Sequence, residues 1–233
     1  MNVSTRISPT ESMMDGNLNR YLSVGESAIK AVRSSLAGYS PKSILDLPCG
    51  HGRVARFLKA EYPQASLFVS DLDDVGANFC AEVFDATKLV SAPHFDDVDF
   101  GRKFDLIWVG SLVTHLPEKE TVAFLRFIKR HLSSDGRAIV TVHGTFVAGR
   151  LFGSAKAVYG LTVDEERGIF SDYLTNGYGY RSYRGVTDYG ISVIAKPWLE
   201  RETQRCGLSI YKYTDHEWDN HQDVMSLNAK SAS

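Results

Sequence analysis

The chain has 233 residues, of which 43% are hydrophobic and 23% charged, and its formal net charge is -2. These values are ordinary for one globular domain and give no reason to expect a polyanion such as nucleic acid as a partner. No stretch supplies the roughly 20 apolar residues of a membrane helix, and the three widely spaced cysteines fit neither a disulfide framework nor a zinc pair. We therefore predict a cytoplasmic protein with no membrane partner and no metal site.

Apolar residues in the first part of the chain follow helical and strand spacing in alternation. A polar tail over residues 1–20 precedes an amphipathic helix over 21–36. Strands are predicted at 43–47, 66–71, 88–92, 104–110 and 135–144, and helices at 53–62, 74–84 and 118–132. In the helix over 74–84 we expect Val75, Phe79 and Val83 to face inward. Such alternation predicts a parallel sheet covered by helices on both faces.

The alternation stops after Gly144, where glycine, tyrosine, phenylalanine and arginine become frequent. We predict that residues 145–190 are an insertion that serves as a lid or substrate-binding segment. The closing elements are a helix over 196–207 and strands at 208–213 and 223–228. The short polar connection at 214–222 predicts that these two strands pair antiparallel. The predicted fold is a single α/β domain over 21–233, a doubly wound seven-stranded sheet with an antiparallel last strand.

The stretch "ILDLPCGHGRV", residues 44–54, places Asp46 at the end of a buried strand and then turns through two glycines. Glycines there allow positive φ and a close approach to a ligand. Residues 50–55 match the dinucleotide-binding pattern, and Asp71 lies near the distance expected for a ribose-binding acid. A nicotinamide-dependent oxidoreductase is therefore one interpretation. Asp46 argues against it, because a carboxylate at that place suits a cationic ligand better than a pyrophosphate.

With these residues, the chain resembles the class I S-adenosylmethionine-dependent methyltransferases. The first motif of that family reads Asp46-Leu47-Pro48-Cys49-Gly50-His51-Gly52 here, with Pro48 in place of its first glycine. Asp71 matches the family's acid after the second strand, and residues 103–144 match its fourth strand, helix and fifth strand. The resemblance implies a Rossmann-like fold and S-adenosylmethionine as the cofactor. The segments "YGIS", "KPWL" and "WDNHQDV" are similar to bacterial methyltransferases found among sugar and polysaccharide enzymes.

The resemblance also implies a cofactor site at the carboxyl ends of the strands. Its expected residues are Asp46, Pro48, Cys49, Gly50, Gly52, Asp71, Leu72 and Ser111. Asp46 is assigned to the ammonium group and Asp71 to the ribose hydroxyls, because charge-assisted hydrogen bonds are strong. Leu72 is placed to cover one face of the adenine, a residue in 91–98 to bind its amino edge, and Ser111 to face the reactive side.

Two histidines, His115 and His143, follow strands at the presumed active face. Either can accept a proton from a substrate hydroxyl, since imidazole titrates near neutrality, and either can equally make a structural hydrogen bond. The acids and histidines between residues 215 and 223 fit no zinc or calcium spacing.

These patterns together predict methyl transfer to a small-molecule or saccharide acceptor, with oxygen as the acceptor atom. Enzymes of the family that methylate amino groups carry Asn or Asp, two prolines and an aromatic after the fourth strand, where this chain reads Gly110-Ser111-Leu112-Val113. Two alternatives stay open from the sequence. One is the NAD(P)-dependent oxidoreductase, and the other is a cofactor-binding subunit that has the same fold but no turnover.

Overall fold

A seven-stranded sheet forms the centre of the computed structural model, which describes residues 2–229. The strands of the sheet are β1 (Ser43–Asp46), β2 (Ser66–Val69), β3 (Thr87–Lys88), β4 (Phe104–Val109), β5 (Leu132–Val142), β8 (Leu208–Trp218) and β9 (Gln222–Ala229). Two further strands, β6 (Tyr178–Ser182) and β7 (Gly190–Ile194), form a separate antiparallel hairpin. Residue 1 of the predicted tail and residues 230–233 of the predicted domain lie outside the described residues.

The sheet order is β3-β2-β1-β4-β5-β9-β8. The first five strands in this order are parallel, whereas β9 runs antiparallel to both β5 and β8. The predicted doubly wound sheet with an antiparallel last strand is therefore confirmed.

Helices cover both faces of the sheet. They are α1 (Leu18–Leu36), α2 (Ala55–Glu61), α3 (Asp74–Phe84), α4 (Glu118–His131), α5 (Thr145–Gly153), α6 (Val163–Asn176) and α7 (Lys196–Arg205). Ile44 and Leu106 pack with α1, α2 and α3 on one face, and Leu45 and Ile107 pack with α4 and α7 on the other. Successive residues of each strand point to opposite helix layers, and both sets are apolar. The sequence of these strands is therefore continuously hydrophobic. No helix within residues 2–229 is both long and apolar enough to cross a membrane.

Helix α3 has the predicted bounds, but its predicted inward face is wrong at Val75, whose exposed fraction is 57%. The buried positions are Gly76, Ala77, Cys80 and Phe84. The physical reason is close packing against the glycine-containing loop. A Cβ atom on Gly76 would lie only 2.5 Å from the carbonyl oxygen of Gly50, so small residues must occupy this face.

Three other predicted segments differ from the structure. Strand β3 has two residues instead of five, because the chain leaves the sheet after Lys88. Strand β8 extends five residues beyond the predicted end, so most of the expected polar connection is strand and pairs with β9 as far as Trp218↔Gln222. Ser4 and Arg6, within the predicted tail, lie against α2, where the guanidinium of Arg56 donates to their carbonyls at 2.9 and 3.0 Å.

The segment predicted as an insertion is built from helices α5 and α6 and the β6–β7 hairpin. These elements surround a hydrophobic cluster of their own. The hairpin ends at Ile194, four residues beyond the predicted boundary, and we call residues 145–194 the inserted unit. The Ser192 hydroxyl donates to the Val113 carbonyl at 2.6 Å, and the Ile194 N–H donates to the His143 carbonyl at 2.8 Å. The unit is thereby fixed to the carboxyl edge of the sheet.

Candidate active site

A cavity of about 880 Å³ lies at the carboxyl ends of β1, β2 and β4. Small-molecule sites span roughly 300–1,000 Å³, so this cavity is at the large end of that range. It brings together most of the residues that the sequence predicts for the site, namely Asp46, Pro48, Cys49, Gly50, Asp71, Leu72, Ser111 and His115. Gly52 and His143 do not line it.

The loop after β1 is held open toward the cavity by Asp71. One carboxylate oxygen of Asp71 accepts from the Gly50 N–H at 2.7 Å, and the other accepts from the Asp73 N–H at 2.8 Å. Gly50 has φ 49° and Gly52 has φ 83°, backbone conformations that glycine adopts without strain. A Cβ atom on Gly52 would lie 2.2 Å from the Phe84 ring, so Gly52 shapes the loop from behind.

Asp46 is buried with 1% of its surface exposed, and neither carboxylate oxygen has a hydrogen-bond partner among residues 2–229. Burial raises the pKa of Asp46, the charge of Asp71 raises it further, and the nearby Ala55 N–H offsets only part of this. A buried carboxylate without a partner is costly. A cationic group entering the cavity would supply that partner, and a pyrophosphate would not.

Cys49 lies under the loop together with Cys80, and the two sulfur atoms are each 3.5 Å from the Gly50 carbonyl oxygen. The hydrogen bond with Cys80 and burial both raise the pKa of the Cys49 thiol. The thiol therefore packs as a small side chain and is not activated as a thiolate.

The wall beyond Asp71 carries Leu72, whose exposed fraction is 64%, and residues 91–95. Of the window predicted for the adenine edge, only 91–95 line the cavity. Within it, His94 donates from Nδ1 to Glu120 Oε1 at 3.3 Å. Asp96 lies outside the lining and pairs with Arg126.

His115 occupies the opposite wall of the cavity. Its Nδ1–H donates to the Gly190 carbonyl at 2.7 Å, and since a carbonyl only accepts, a neutral ring carries its proton on Nδ1. The ring stacks on Tyr189 with centroids 4.7 Å apart. Burial lowers the pKa of His115 from its ordinary value, which keeps the ring neutral and Nε2 available as an acceptor.

His143 has 3% of its surface exposed and is sealed beneath the inserted unit. Its Nδ1–H donates to the Ser192 carbonyl at 3.2 Å, and its ring packs between those of Tyr159 and His221. Burial lowers the pKa of His143 to about 3. The structure therefore separates the two candidate histidines, and only His115 reaches the cavity.

Ser111 is fixed at the end of β4 with φ 59°, a conformation that non-glycine residues rarely adopt. Its N–H donates to Thr141 Oγ1 at 2.8 Å, and its hydroxyl oxygen accepts from Gln222 Nε2 at 2.8 Å. Gln222 in turn accepts from Thr141 at 2.6 Å. This network orients the Ser111 hydroxyl at the cavity.

The sequence did not reveal several residues of the cavity lining. They are Thr10, Glu11, Ser12, Met13, Arg53, Trp108, Thr187, Asp188 and Trp218. Trp218 ends β8 after a polar run that breaks the alternation of apolar residues, so the sequence gives no signal for it. Thr10 to Met13 carry no periodic signal. The described residues contain no group of three or more metal-binding side chains, so the acids and histidines at 215–223 form none.

Residues 44–136 match the family model described as a methyltransferase domain. No curated protein matches the chain. Together with the observed fold and cavity, this match supports an S-adenosylmethionine-dependent methyltransferase, an enzyme whose cofactor is S-adenosylmethionine. The family-model match gives no support to the nicotinamide-dependent oxidoreductase.

Solved structures share the fold over almost the whole chain. A methyltransferase from Clostridium acetobutylicum ATCC 824 that depends on S-adenosylmethionine is 13% identical, with TM-score 0.63, over 94% of this chain and 97% of that one. A protein from Pyrococcus horikoshii OT3 is 16% identical, with TM-score 0.65, over 93% and 94%. DhpI, solved as a complex with S-adenosylhomocysteine (SAH), is 13% identical, with TM-score 0.61, over 95% and 92%. At these low identities, the TM-scores show that the fold is shared.

Proposed function

We propose that the protein methylates a hydroxyl oxygen of a small molecule, with a saccharide as the acceptor class to test first, and that His115 is the general base. The observation that carries this proposal is the hydrogen bond from His115 Nδ1 to the Gly190 carbonyl. It leaves Nε2 without a proton at the wall of the cavity. A hydroxyl is a poor nucleophile until its proton is removed, and a positioned base supplies that step.

The residues around the cavity suit the cofactor in the following way. Asp46 binds the ammonium group, Asp71 binds the ribose hydroxyls, and Leu72 covers the adenine. When bound, S-adenosylmethionine supplies a methyl group on a positively charged sulfur, which an acceptor oxygen can displace. Ser111, held by Gln222, faces the space between the cofactor residues and His115.

The acceptor would lie beside His115 and the hairpin of the inserted unit. Tyr189 stacks on His115 and lines the cavity, and Tyr183 lies 6.2 Å from the same imidazole. Aromatic faces stack on sugars and other rings, and closing them over an acceptor excludes water. Tyr189 and Gly190 begin the "YGIS" segment that resembles sugar-modifying methyltransferases, so the likeness coincides with the residues that position the base.

The experiment uses S-adenosylmethionine labelled with ¹³C in its methyl group, incubated with a panel of simple glycosides, phenols and amines. We expect an O-methyl product by NMR, and little of it with His115→Gln. An N-methyl product from the amines would contradict the oxygen assignment. SAH binding without transfer to any acceptor would favour the non-catalytic subunit.

The covering role of the hairpin has its own test. The Tyr183 N–H donates to the Tyr189 carbonyl at 3.1 Å, so residues 184–188 form the turn beyond this pair. Replacing them with Asn-Gly closes the hairpin with a two-residue turn and removes Thr187 and Asp188 from the cavity wall. We expect SAH affinity within threefold of wild type and turnover reduced at least tenfold. Unchanged turnover would show that the turn does not cover the acceptor.

A further inference from the structure

The segment 111–116, which carries His115, lies between β4 and α4 and contains a single turn of 3₁₀ helix. Inside the segment, the Thr114 hydroxyl donates to the Ser111 carbonyl at 3.0 Å, and the His115 N–H donates to the Leu112 carbonyl at 2.9 Å. These bonds shape the segment internally, and its placement beside the cavity depends on contacts from other elements. A general base must lie within hydrogen-bond reach of the proton that it removes, so these outer contacts determine whether His115 is correctly placed.

The β6–β7 hairpin has two different faces, because alternate residues of a strand point in opposite directions. Ile191 and Val193 belong to the hydrophobic cluster of the inserted unit. On the other face, Tyr178 and Ile194 belong to the hydrophobic core between the sheet and α4. Ser192 shares this second face and has 0% of its surface exposed. A buried hydroxyl is unfavourable without a hydrogen-bond partner, so the position of Ser192 calls for one.

Two hydroxyls on this second face bind backbone carbonyls on either side of His115. The Ser192 hydroxyl donates to the Val113 carbonyl at 2.6 Å, and the Tyr178 hydroxyl donates to the Leu116 carbonyl at 2.9 Å. Burial raises the pKa of Tyr178, so this hydroxyl keeps the proton that it donates. The backbone on both sides of the histidine is thus bound by side chains of the hairpin.

Thr121 fixes the direction of the Tyr178 hydroxyl. The two hydroxyl oxygens lie 2.7 Å apart, and since the single proton of Tyr178 is directed at the Leu116 carbonyl, Thr121 is the donor. Thr121 belongs to the first turns of α4, so the bond joins the hairpin to the helix that follows the histidine segment. The hairpin also binds the imidazole itself, because His115 Nδ1–H donates to the Gly190 carbonyl.

We infer that Tyr178 and Ser192 are positioning residues for His115, which fix the segment 111–116 so that the imidazole Nε2 faces the cavity. The inference rests on the proposed role of His115 as the general base. Neither positioning residue lines the cavity, so both act through the backbone of the segment. A misplacement of about 1 Å can lower a rate about 100-fold, so removing one of these hydroxyls should slow turnover although the ligand contacts are intact. The inserted unit thereby has a second role beside covering the acceptor.

The experiment compares Ser192→Ala and Tyr178→Phe, each of which removes one hydroxyl, with two matched controls. Ser226→Ala and Tyr211→Phe remove hydroxyls that bind Ser35 of α1 and do not line the cavity. With the acceptor found by methyl labelling, we expect kcat to decrease about 10- to 100-fold in the first pair and to stay within about twofold of wild type in the controls. KM and SAH affinity should stay within about threefold in all four variants, because none of these residues contacts a ligand.

NMR of protein labelled with ¹⁵N in its histidines reports on the base without turnover. At pH 8 we expect the wild-type His115 ring to carry its proton on Nδ1, with its signal identified by its absence in His115→Gln. Ser192→Ala and Tyr178→Phe should shift this signal toward a mixture of the two tautomers, because a weakened bond to the Gly190 carbonyl no longer selects one of them. The control variants should keep the wild-type signal.

Ser192→Ala and Tyr178→Phe proteins that keep the wild-type kcat and a single Nδ1 tautomer would overturn the inference. Equal losses of kcat in the controls would also overturn it, since they would indicate a general effect of lost stability. The two variants are independent, so if one fails to fold, the other decides. Wild-type turnover in His115→Gln would instead overturn the proposed function, and the tautomer signal would still show whether the two hydroxyls position the ring.

Discussion

Polar side chains of the inserted unit pair with one another and with the backbone, whereas two charged side chains at the cavity do not. In the inserted unit, Glu166 accepts from two backbone N–H groups at 2.8 Å, and Arg181 pairs with Asp172 at 2.7 Å. At the cavity, Asp46 and Arg53 have no partner among the described residues. Because an unpaired buried polar group destabilises a fold, an unpaired carboxylate that lines a cavity indicates a position kept for a ligand.

The largest expected effect comes from replacing His115, which lines the cavity, and comparing it with His143, which does not. We expect His115→Gln to lower turnover by about 100- to 10,000-fold, the usual contribution of a general base, with unchanged SAH affinity. His143→Gln should leave turnover within a few-fold of wild type, since His143 does not reach the cavity. Steady-state rates with the acceptor found by methyl labelling measure both. Equal losses for the two variants would break the distinction between the sites.

The pH dependence of turnover adds to this test. Burial lowers the pKa of His115 below 6.5, so the base is neutral at pH 7 and becomes protonated only on acidification. We expect kcat/KM to fall on acidification, with a midpoint below 6.5, and no such decrease in the residual activity of His115→Gln. If kcat/KM of His115→Gln still falls at low pH, a group other than His115 causes the decrease.

A ligand that fills the cavity should stabilise the protein. SAH at 100 times its dissociation constant is expected to add about 2.7 kcal/mol to the free energy of unfolding, and NAD to add nothing. Thermal shift measures both. Asp46→Asn should reduce the shift, because the amide offers the ammonium group no negative charge. Stabilisation by NAD alone would contradict the methyltransferase assignment.

Two carboxylates that each accept from two backbone N–H groups provide a matched pair. Asp71→Ala should weaken SAH binding by about 1.5–3 kcal/mol, because it removes a charged hydrogen-bond partner. Glu166→Gln is expected to lower stability in the inserted unit while SAH affinity stays unchanged. Calorimetry and thermal unfolding of both variants separate the two effects. Unchanged affinity in Asp71→Ala would move the ribose contact elsewhere, to Asp73 for example.

The smallest expected effect, counted per pH unit, concerns stability and His143. Its pKa is about 3 in the folded protein and 6.5 in the unfolded chain, so between these values the unfolded state binds an extra proton. Stability from this group is present above pH 6.5 and is lost as the pH falls, by about 1.4 kcal/mol per pH unit. His143→Gln should flatten the pH dependence of the unfolding free energy by that amount. A parallel dependence in both proteins would show that other groups dominate.

The sequence allowed the sheet and much of the cavity wall to be predicted for specific reasons. The runs at Ile44 and Phe104 are apolar on both faces, which only a covered parallel strand requires. Asp46 and Asp71 could be found because the carboxyl ends of parallel strands meet at one edge.

Other features depend on contacts between distant segments and carry no local signal. The inward face of α3 is set by the approach of Gly76 to Gly50, and a pattern based on large apolar residues selects Val75 instead. The free charge of Arg53 follows from the engagement of Glu11 with Tyr21, which only the three-dimensional structure reveals. The choice between His115 and His143 likewise depends on where the inserted unit packs.

The position of β9 between β5 and β8 also constrains the order in which the protein can mature. Gln222, which fixes Ser111, is 111 residues further along the chain. At roughly 5–20 residues per second, the ribosome needs roughly 6–22 s to make that interval. During this time the nascent polypeptide already contains the loop around Gly50 but has no completed wall opposite it. Ser111 therefore gains the hydrogen bond that orients its hydroxyl only after the first residue of β9 has been synthesised.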